Sequence, residues 1–206
     1  IGLFPDVGGS YFLPRLPGAI GMYLALTGTR LAAADCLYAG IATHCVASGR
    51  LDELRDALTR DSNVDRALGG LHWDPGTAPL AAHRDAIDRC FAAASVAEII
   101  AGLEAERTDW AVKQLEALGA KSPTSLKVTV RQIRAGAGIG FAEVLRMEYR
   151  LTQACMAGHD FYEGVRAAVI DKDRRPKWRP ARLDQVTEAA VDAYFAPLGD
   201  RDLVLG

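Results

Sequence analysis

The sequence predicts a mostly α-helical chain with a single short strand, and three observations lead there. Apolar residues recur at three- and four-residue spacing along most of the 206 residues, the period of a helix with one buried face. Ser or Asp stands just ahead of several of these stretches and Gly just behind them, where helices begin and end. Only Ile41 to Val46 reads as extended.

The chain opens on IGLFPDVGGS. Pro5 fixes φ, and Gly8 and Gly9 tolerate positive φ, so a tight turn joins an extended lead-in to a helix with Ser10 as its N-cap. That turn sets Asp6 beside a helix N-terminus, whose unpaired N–H groups make the local field positive. Tyr11, Phe12, Leu13 and Leu16 supply the apolar side of the short helix. After Gly18, the stretch Ala19 to Leu26 reads as a buried helix stopped by Gly28. A helix from about Ala32 to Ala39 ends at Gly40, and the strand Ile41 to Val46 follows. Leu51, Leu54 and Leu58 mark an amphipathic helix through Thr59. Polar residues take over from Asp61, and Gly69-Gly70 with Asp74-Pro75-Gly76 reads as a flexible connection.

Farther on, Ile87, Cys90, Phe91 and Ala94 share one helical face. Ser95 and Glu98 form a capping box for a helix that turns Ile99, Ile100 and Leu103 inward. Another helix runs from about Thr108 to Leu118 and ends at Gly119. Ser122-Pro123 is an N-cap followed by Pro at the first helical position, with Leu126, Val130 and Ile133 on one side. Gly136, Gly138 and Gly140 read as a turn, since no strand precedes them and their spacing is not that of a dinucleotide loop. Phe141 to Ala157 is a long helix ended by Gly158, and Asp160 with Glu163 caps another running to about Ile170.

A hydrophobic content of 50% is enough to bury the core of one ordinary domain. The formal net charge of −2 gives no electrostatic reason to expect nucleic acid or an anionic membrane surface as a partner. No apolar run approaches the roughly 18 residues of a membrane-spanning helix. Cys36, Cys45, Cys90 and Cys155 are scattered without C-x-x-C spacing, so they read as reduced thiols and a cytoplasmic placement is expected. His44 and His159 have no second ligand at metal-binding spacing, and no metal site is expected. Ser10 lacks the G-x-S-x-G elbow of a hydrolase nucleophile.

IGLFPDVGG resembles the segment that follows the Pro-Glu pair in the crotonase (enoyl-CoA hydratase/isomerase) superfamily, where Gly, two residues, Pro and two residues lead to Gly-Gly. LTGTRL, the Ala-rich helix after it, and AGI with a strand ending in Val resemble a second shared stretch. GHDFYEGVRAAVIDKDRRPKW is similar to the C-terminal signature of one branch, the 3-hydroxyisobutyryl-CoA hydrolases, and Phe4-Pro5-Asp6 and GIATHCV fit the same branch. The fold so implied is α/β, the ClpP/crotonase fold, with this chain as its mostly helical C-terminal part. Residues 1–60 would be the end of the crotonase core and residues 61–206 a helical C-terminal region. The implied activity is thioester hydrolysis, 3-hydroxyisobutyryl-CoA and water giving 3-hydroxyisobutyrate and coenzyme A, a step of valine degradation. No cofactor is implied, since coenzyme A enters as part of the substrate. Many crotonases are trimers or hexamers, so a homo-oligomer is among the expectations.

The resemblance assigns Asp6 as the catalytic and substrate-binding residue. The glutamate that works with it, eight residues before, and the glycine-rich loop that holds the thioester oxygen would both lie before Ile1. The N-terminal half of the same protein is therefore an expected partner, as the rest of a longer chain or as a separate one. The chemistry needs oriented N–H donors for the developing oxyanion and a carboxylate that activates water or attacks directly. Asp6 is read either in that role or as the acceptor for the substrate's 3-hydroxyl. Lys172, Arg174, Arg175, Lys177 and Arg179 cluster around Pro176 and Trp178, and crotonases place basic residues from this region near the nucleotide. Lys172, Lys177 and Trp178 are accordingly candidate coenzyme A contacts, against the reading of a solvated turn. Two other functions compete. An enoyl-CoA hydratase or isomerase of this pattern carries Gly at the position of Asp6, and a non-catalytic helical partner module would need no site at all.

Overall fold

The structure, a computed structural model, describes residues 1–60 and 63–205, and helices dominate it as the sequence predicts. The chain divides into two packing units, residues 1–28 with 86–206, and residues 29–85. A division at residue 60 would follow family resemblance and is a different partition from packing; Asp61, where it falls, lies outside the described residues.

In the larger unit, α9 (Pro123–Ala137) and α10 (Phe141–Ala157) form the scaffold. Ser122 caps α9 by accepting from the Ser125 amide, and Pro123 stands at the first helical position, where the missing N–H goes unused anyway. The short α1 (Gly9–Phe12) and the buried α2 (Ile20–Thr27) pack along α9. The left-handed Gly28 closes α2, its amide donating to the Leu24 carbonyl at 2.9 Å. Tyr23 of α2 meets Phe91 of α6 (Arg84–Phe91) edge-on, with centroids 5.2 Å apart. In α7 (Val96–Glu106), Ser95 and Glu98 form the reciprocal cap that their spacing predicts, and Thr108 caps α8 (Asp109–Gly119). Phe4, Val128, Met147, Leu151, Cys155, Val186 and Val191 make one continuous core that ties the start of the chain to its end. Beyond α11 (Asp160–Val165) the helix widens into a π-helical turn over Arg166–Ile170. An extended segment then leads to α12 (Glu188–Phe195). Arg131 of α9 holds α12 through Glu188 and Asp192, and Lys127 donates to the Val186 carbonyl at 2.6 Å.

The smaller unit carries α3 (Ala33–Tyr38), α4 (Leu51–Arg60) and α5 (Val64–Gly69). Buried Asp35 accepts from the Leu80 amide at 2.8 Å, fixing the 3₁₀ turn Pro79–His83 against α3.

Several expectations are corrected. The stretch Ile41 to Val46 forms no strand: among the described residues its sole sheet contact is an isolated antiparallel bridge between Val46 and His72. A strand without a partner leaves its amides unpaired, so extended backbone there does not become sheet. The expected connection around Gly69-Gly70 contains α5, which Asn63 caps by accepting from the Arg66 amide. Helix α4 forms as predicted, yet none of its residues is buried, and Leu51 and Leu58 are exposed. Gly136 belongs to α9 rather than to a turn. Ser10 lies within α1 and is not its cap, the N-cap being the left-handed Gly8. Asp160 and Glu163 do not cap α11, because both carboxylates serve partners outside its first turn.

Candidate active site

The turn at Pro5–Ser10 is built from local chemistry and then fixed from a distance. Asp6 accepts through its carbonyl from the Gly9 amide at 2.8 Å, closing the turn. Gly8 has φ 86°, a conformation that glycine adopts without strain. Val7 has φ 51°, which a β-branched residue avoids, and its side chain is 91% exposed. Asp6 is exposed as well, and its carboxylate has no hydrogen-bond or ion-pair partner among the described residues.

Two side chains, from α9 and α10, hold this turn, and Arg15, in the 3₁₀ turn Leu13–Arg15 after α1, ties the chain beyond it to the end of α9. Glu148 of α10 accepts from the Gly8 amide at 2.8 Å, from the Ser10 amide at 2.9 Å and from the Ser10 hydroxyl at 2.6 Å. Gln132 of α9 donates through Nε2 to the Pro5 carbonyl at 2.5 Å and to Ser10 Oγ at 2.6 Å. Arg15 donates to the carbonyls of Gly136 and Ile139 at 3.2 and 3.1 Å, with its guanidinium over the Tyr11 ring. Glu148 and Gln132 are buried. Neither stands out in the sequence: each lies in a helix more than 120 residues from the turn it holds.

A cleft of about 660 Å³ runs beside the lead-in to this turn. Ile1 to Pro5 line it, so the lining ends one residue short of Asp6. Its other walls come from α2 at Leu24 to Leu26, from α9 at Ser125, Leu126 and Thr129, and from the segment after α11. Its lining includes two basic side chains, Lys121 and Arg174, and the aromatic rings of Phe4 and Trp178. Trp178 is oriented by its indole N–H, which donates to the Ala120 carbonyl at 3.1 Å.

The basic segment is held by its acidic neighbours. Arg166 pairs with Glu163, Asp171 and Asp173 and donates to the Arg175 carbonyl. Glu163 also accepts from the Lys177 amide at 2.7 Å. The Arg166 contact, with that amide, pulls the Glu163 carboxyl down to about 2. Asp160 accepts from the Ser122 hydroxyl at 2.6 Å and from the Arg179 amide at 2.8 Å, joining the segment to the start of α9. With the acids consumed in this way, the side chains of Lys172, Arg174, Arg175 and Lys177 have no hydrogen-bond or ion-pair partner among the described residues. Of the candidate coenzyme A contacts, Trp178 lines the cleft, whereas Lys172 and Lys177 do not. Lys121 and Arg174 supply the positive charge there, and Lys121 was not a candidate from sequence. His159 bonds its neighbour Asp160, and His44 stacks edge-on against His72.

The sequence matches the enoyl-CoA hydratase/isomerase family over residues 1–195. It is 51% identical to the mitochondrial 3-hydroxyisobutyryl-CoA hydrolase of Gallus gallus, covering 100% of this chain and 56% of that protein. The human enzyme of the same name is 48% identical over 98% of this chain and 55% of its own length. The chain thus spans about half the length of the curated relatives it matches. Among solved structures, a carnitinyl-CoA dehydratase from Mycobacterium thermoresistibile superposes with a TM-score of 0.91 at 41% identity, over 99% of this chain and 58% of that one. An enoyl-CoA hydratase from Rhodobacter sphaeroides gives 0.83 at 40% identity, over 98% and 59%. These likenesses establish the crotonase fold, of which this chain is a mostly helical part. They also overturn the cytoplasmic expectation, because the relatives at 51% and 48% identity are named as mitochondrial. Unpaired cysteines signal a reducing compartment without saying which one.

Proposed function

The chain belongs to the enoyl-CoA hydratase/isomerase family, and from that premise we propose that it serves hydrolysis of an acyl-CoA thioester, 3-hydroxyisobutyryl-CoA. The observation that carries the reading is Asp6, an exposed carboxylate without a partner among the described residues, on a turn anchored by buried side chains. The family resemblance implies Gly at this position in hydratases of this pattern, which makes the aspartate the feature that favours the hydrolase reading. The names of the curated relatives at 51% and 48% identity point the same way, to a 3-hydroxyisobutyryl-CoA hydrolase and to mitochondria, whereas the solved structures at 41% and 40% identity are named as a dehydratase and a hydratase.

In this reaction water adds to the thioester carbonyl, a C–O bond forms and the C–S bond breaks. The thiolate leaves as coenzyme A after taking up a proton, and the acyl group departs as the free acid. Asp6 acts on the acyl group together with a glutamate of the preceding segment, either by activating the water or by accepting from the substrate's 3-hydroxyl. A carboxylate free of protein partners suits both tasks, since its lone pairs are open to water or substrate. The cleft suits the other end of the substrate. Trp178 presents a face for packing, and Lys121 and Arg174 present charge to phosphates. Lys172 and Lys177 add attraction from the same segment without lining the cleft.

The test is made on a protein that joins this chain to its upstream half. Free thiol released from 3-hydroxyisobutyryl-CoA is compared with hydration of crotonyl-CoA. Thiol release without hydration is expected. Hydration without thiol release would assign the hydratase function instead, and the absence of both would leave a binding module.

A further inference from the structure

Glu148 is buried in the middle of α10 and pairs with no cation among the described residues. Its three hydrogen bonds all reach the turn after Asp6: the amides of Gly8 and Ser10 and the Ser10 hydroxyl. A carboxylate taken out of water loses its hydration, and packing alone does not require one. These bonds are of the charge-assisted kind, which are stronger and more directional than neutral ones. On the other side of Asp6, Gln132 holds the Pro5 carbonyl and, through Ser10 Oγ, joins the same network. The backbone is therefore gripped at Pro5, at Gly8 and at Ser10. Only Asp6 and Val7 lie between the first two grips, and Val7 is kept in a left-handed conformation that it would leave if released.

We infer that Glu148, acting through Ser10 and with Gln132, is a positioning residue that sets the Asp6 carboxylate for the thioester. The inference rests on the reading of Asp6 given above. Displacing a reacting group by about 1 Å costs on the order of 100-fold in rate, so a grip at this distance has a kinetic consequence. Its mark is a loss confined to turnover, because none of the three residues lines the cleft.

Kinetics of Asp6→Asn, Glu148→Gln, Ser10→Ala and the double variant Asp6→Asn with Glu148→Gln decide it, in the protein joined to its upstream half. Rates are taken per folded molecule, counted by coenzyme A binding. Glu148→Gln keeps the side-chain shape but turns an NH2 toward an N–H donor. It should lower kcat roughly 10- to 100-fold and leave KM within about twofold. The double variant should be no slower than Asp6→Asn alone, as expected when one residue acts through the other. Losses that multiply in the double variant, or a Glu148→Gln kcat equal to wild type beside an inactive Asp6→Asn, would overturn the inference and leave Asp6 in place. Normal turnover in Asp6→Asn would overturn the reading of Asp6 itself. Should Glu148→Gln fail to fold, Ser10→Ala decides: a kcat loss of roughly tenfold is expected on the same grounds, and an unchanged kcat refutes the positioning role.

Discussion

Replacing Gly136 by Ala should force α1 and α9 apart. A Cβ at this position would lie 1.9 Å from the Ser10 carbonyl oxygen, whereas contacts of real Cβ atoms below 3.0 Å are essentially never seen. The obstacle is backbone, which cannot swing aside as a side-chain tip would. The two helices must separate by about 1 Å, measured from 1.9 to 3.0 Å. Overpacking of this kind costs about 1–3 kcal/mol, and a rigid backbone obstacle belongs at the upper end. For a chain of this length about 3 kcal/mol lowers the melting temperature by roughly 6–12 °C. Gly138→Ala is the control. It lies at the end of the same helix with φ −101°, and nothing stands within 4 Å of its Cβ position, so its effect should stay within about 0.5 kcal/mol. Thermal denaturation of the two variants side by side checks the difference. Equal melting temperatures would mean that α1 does not rest on α9 at Ser10, and the anchoring of the Asp6 turn would fall with it.

Arg174→Ala and Lys121→Ala should each raise KM for the coenzyme A substrate and leave kcat nearly unchanged, the mark of uniform binding. Lys172→Ala and Lys177→Ala should do the same more weakly. Each effect should vanish with a pantetheine thioester that lacks the nucleotide, and equal losses on both substrates would make these side chains structural. The segment after α11 should also weaken in acid. The Glu163 carboxyl ordinarily titrates at 4.5 and is drawn down to about 2, chiefly by its hydrogen bonds with Arg166. A lowered folded-state value means that its stabilisation is fully present above 4.5 and is lost as pH falls from there through about 2. Hydrogen exchange of the Lys177 amide between those limits should therefore quicken in the native protein, and Glu163→Gln should flatten that pH dependence. An unchanged profile in Glu163→Gln would contradict the pairing.

Local signals were legible where their partners lay within a few residues. Ser95 with Glu98, Ser122 with Pro123, and Gly28 behind α2 each complete a cap within one turn of helix, and the structure has all three. Thr187 before Glu188 is an equally local signal, and it caps α12 by accepting from the Ala190 amide. Ser10 shows the opposite case. In a serine ahead of an aromatic run the eye sees a cap, yet the hydroxyl bonds Glu148, 138 residues away. Asp160 and Glu163 have capping spacing, but Ser122, Arg166 and the backbone of Lys177 and Arg179 claim their oxygens. Such competition is settled by tertiary geometry, which spacing does not encode. For the same reason Asp6 was legible through its motif, whereas the residues that grip its turn and the Lys121 side chain in the cleft were not.

The measurement closest to the central claim is the turnover of Asp6→Asn on 3-hydroxyisobutyryl-CoA, followed by thiol release in the protein joined to its upstream half. Asparagine keeps the size of the side chain and removes the charge, so the turn and the cleft stay as they are. A group that acts on the proton of the attacking water contributes typically ~10²–10⁴-fold. A catalytic role for Asp6 requires kcat to fall in that range with coenzyme A affinity nearly intact, since Asp6 lies outside the cleft lining. Turnover close to wild type would contradict it, because the one carboxylate that this chain presents on the anchored turn would then have no part in the chemistry.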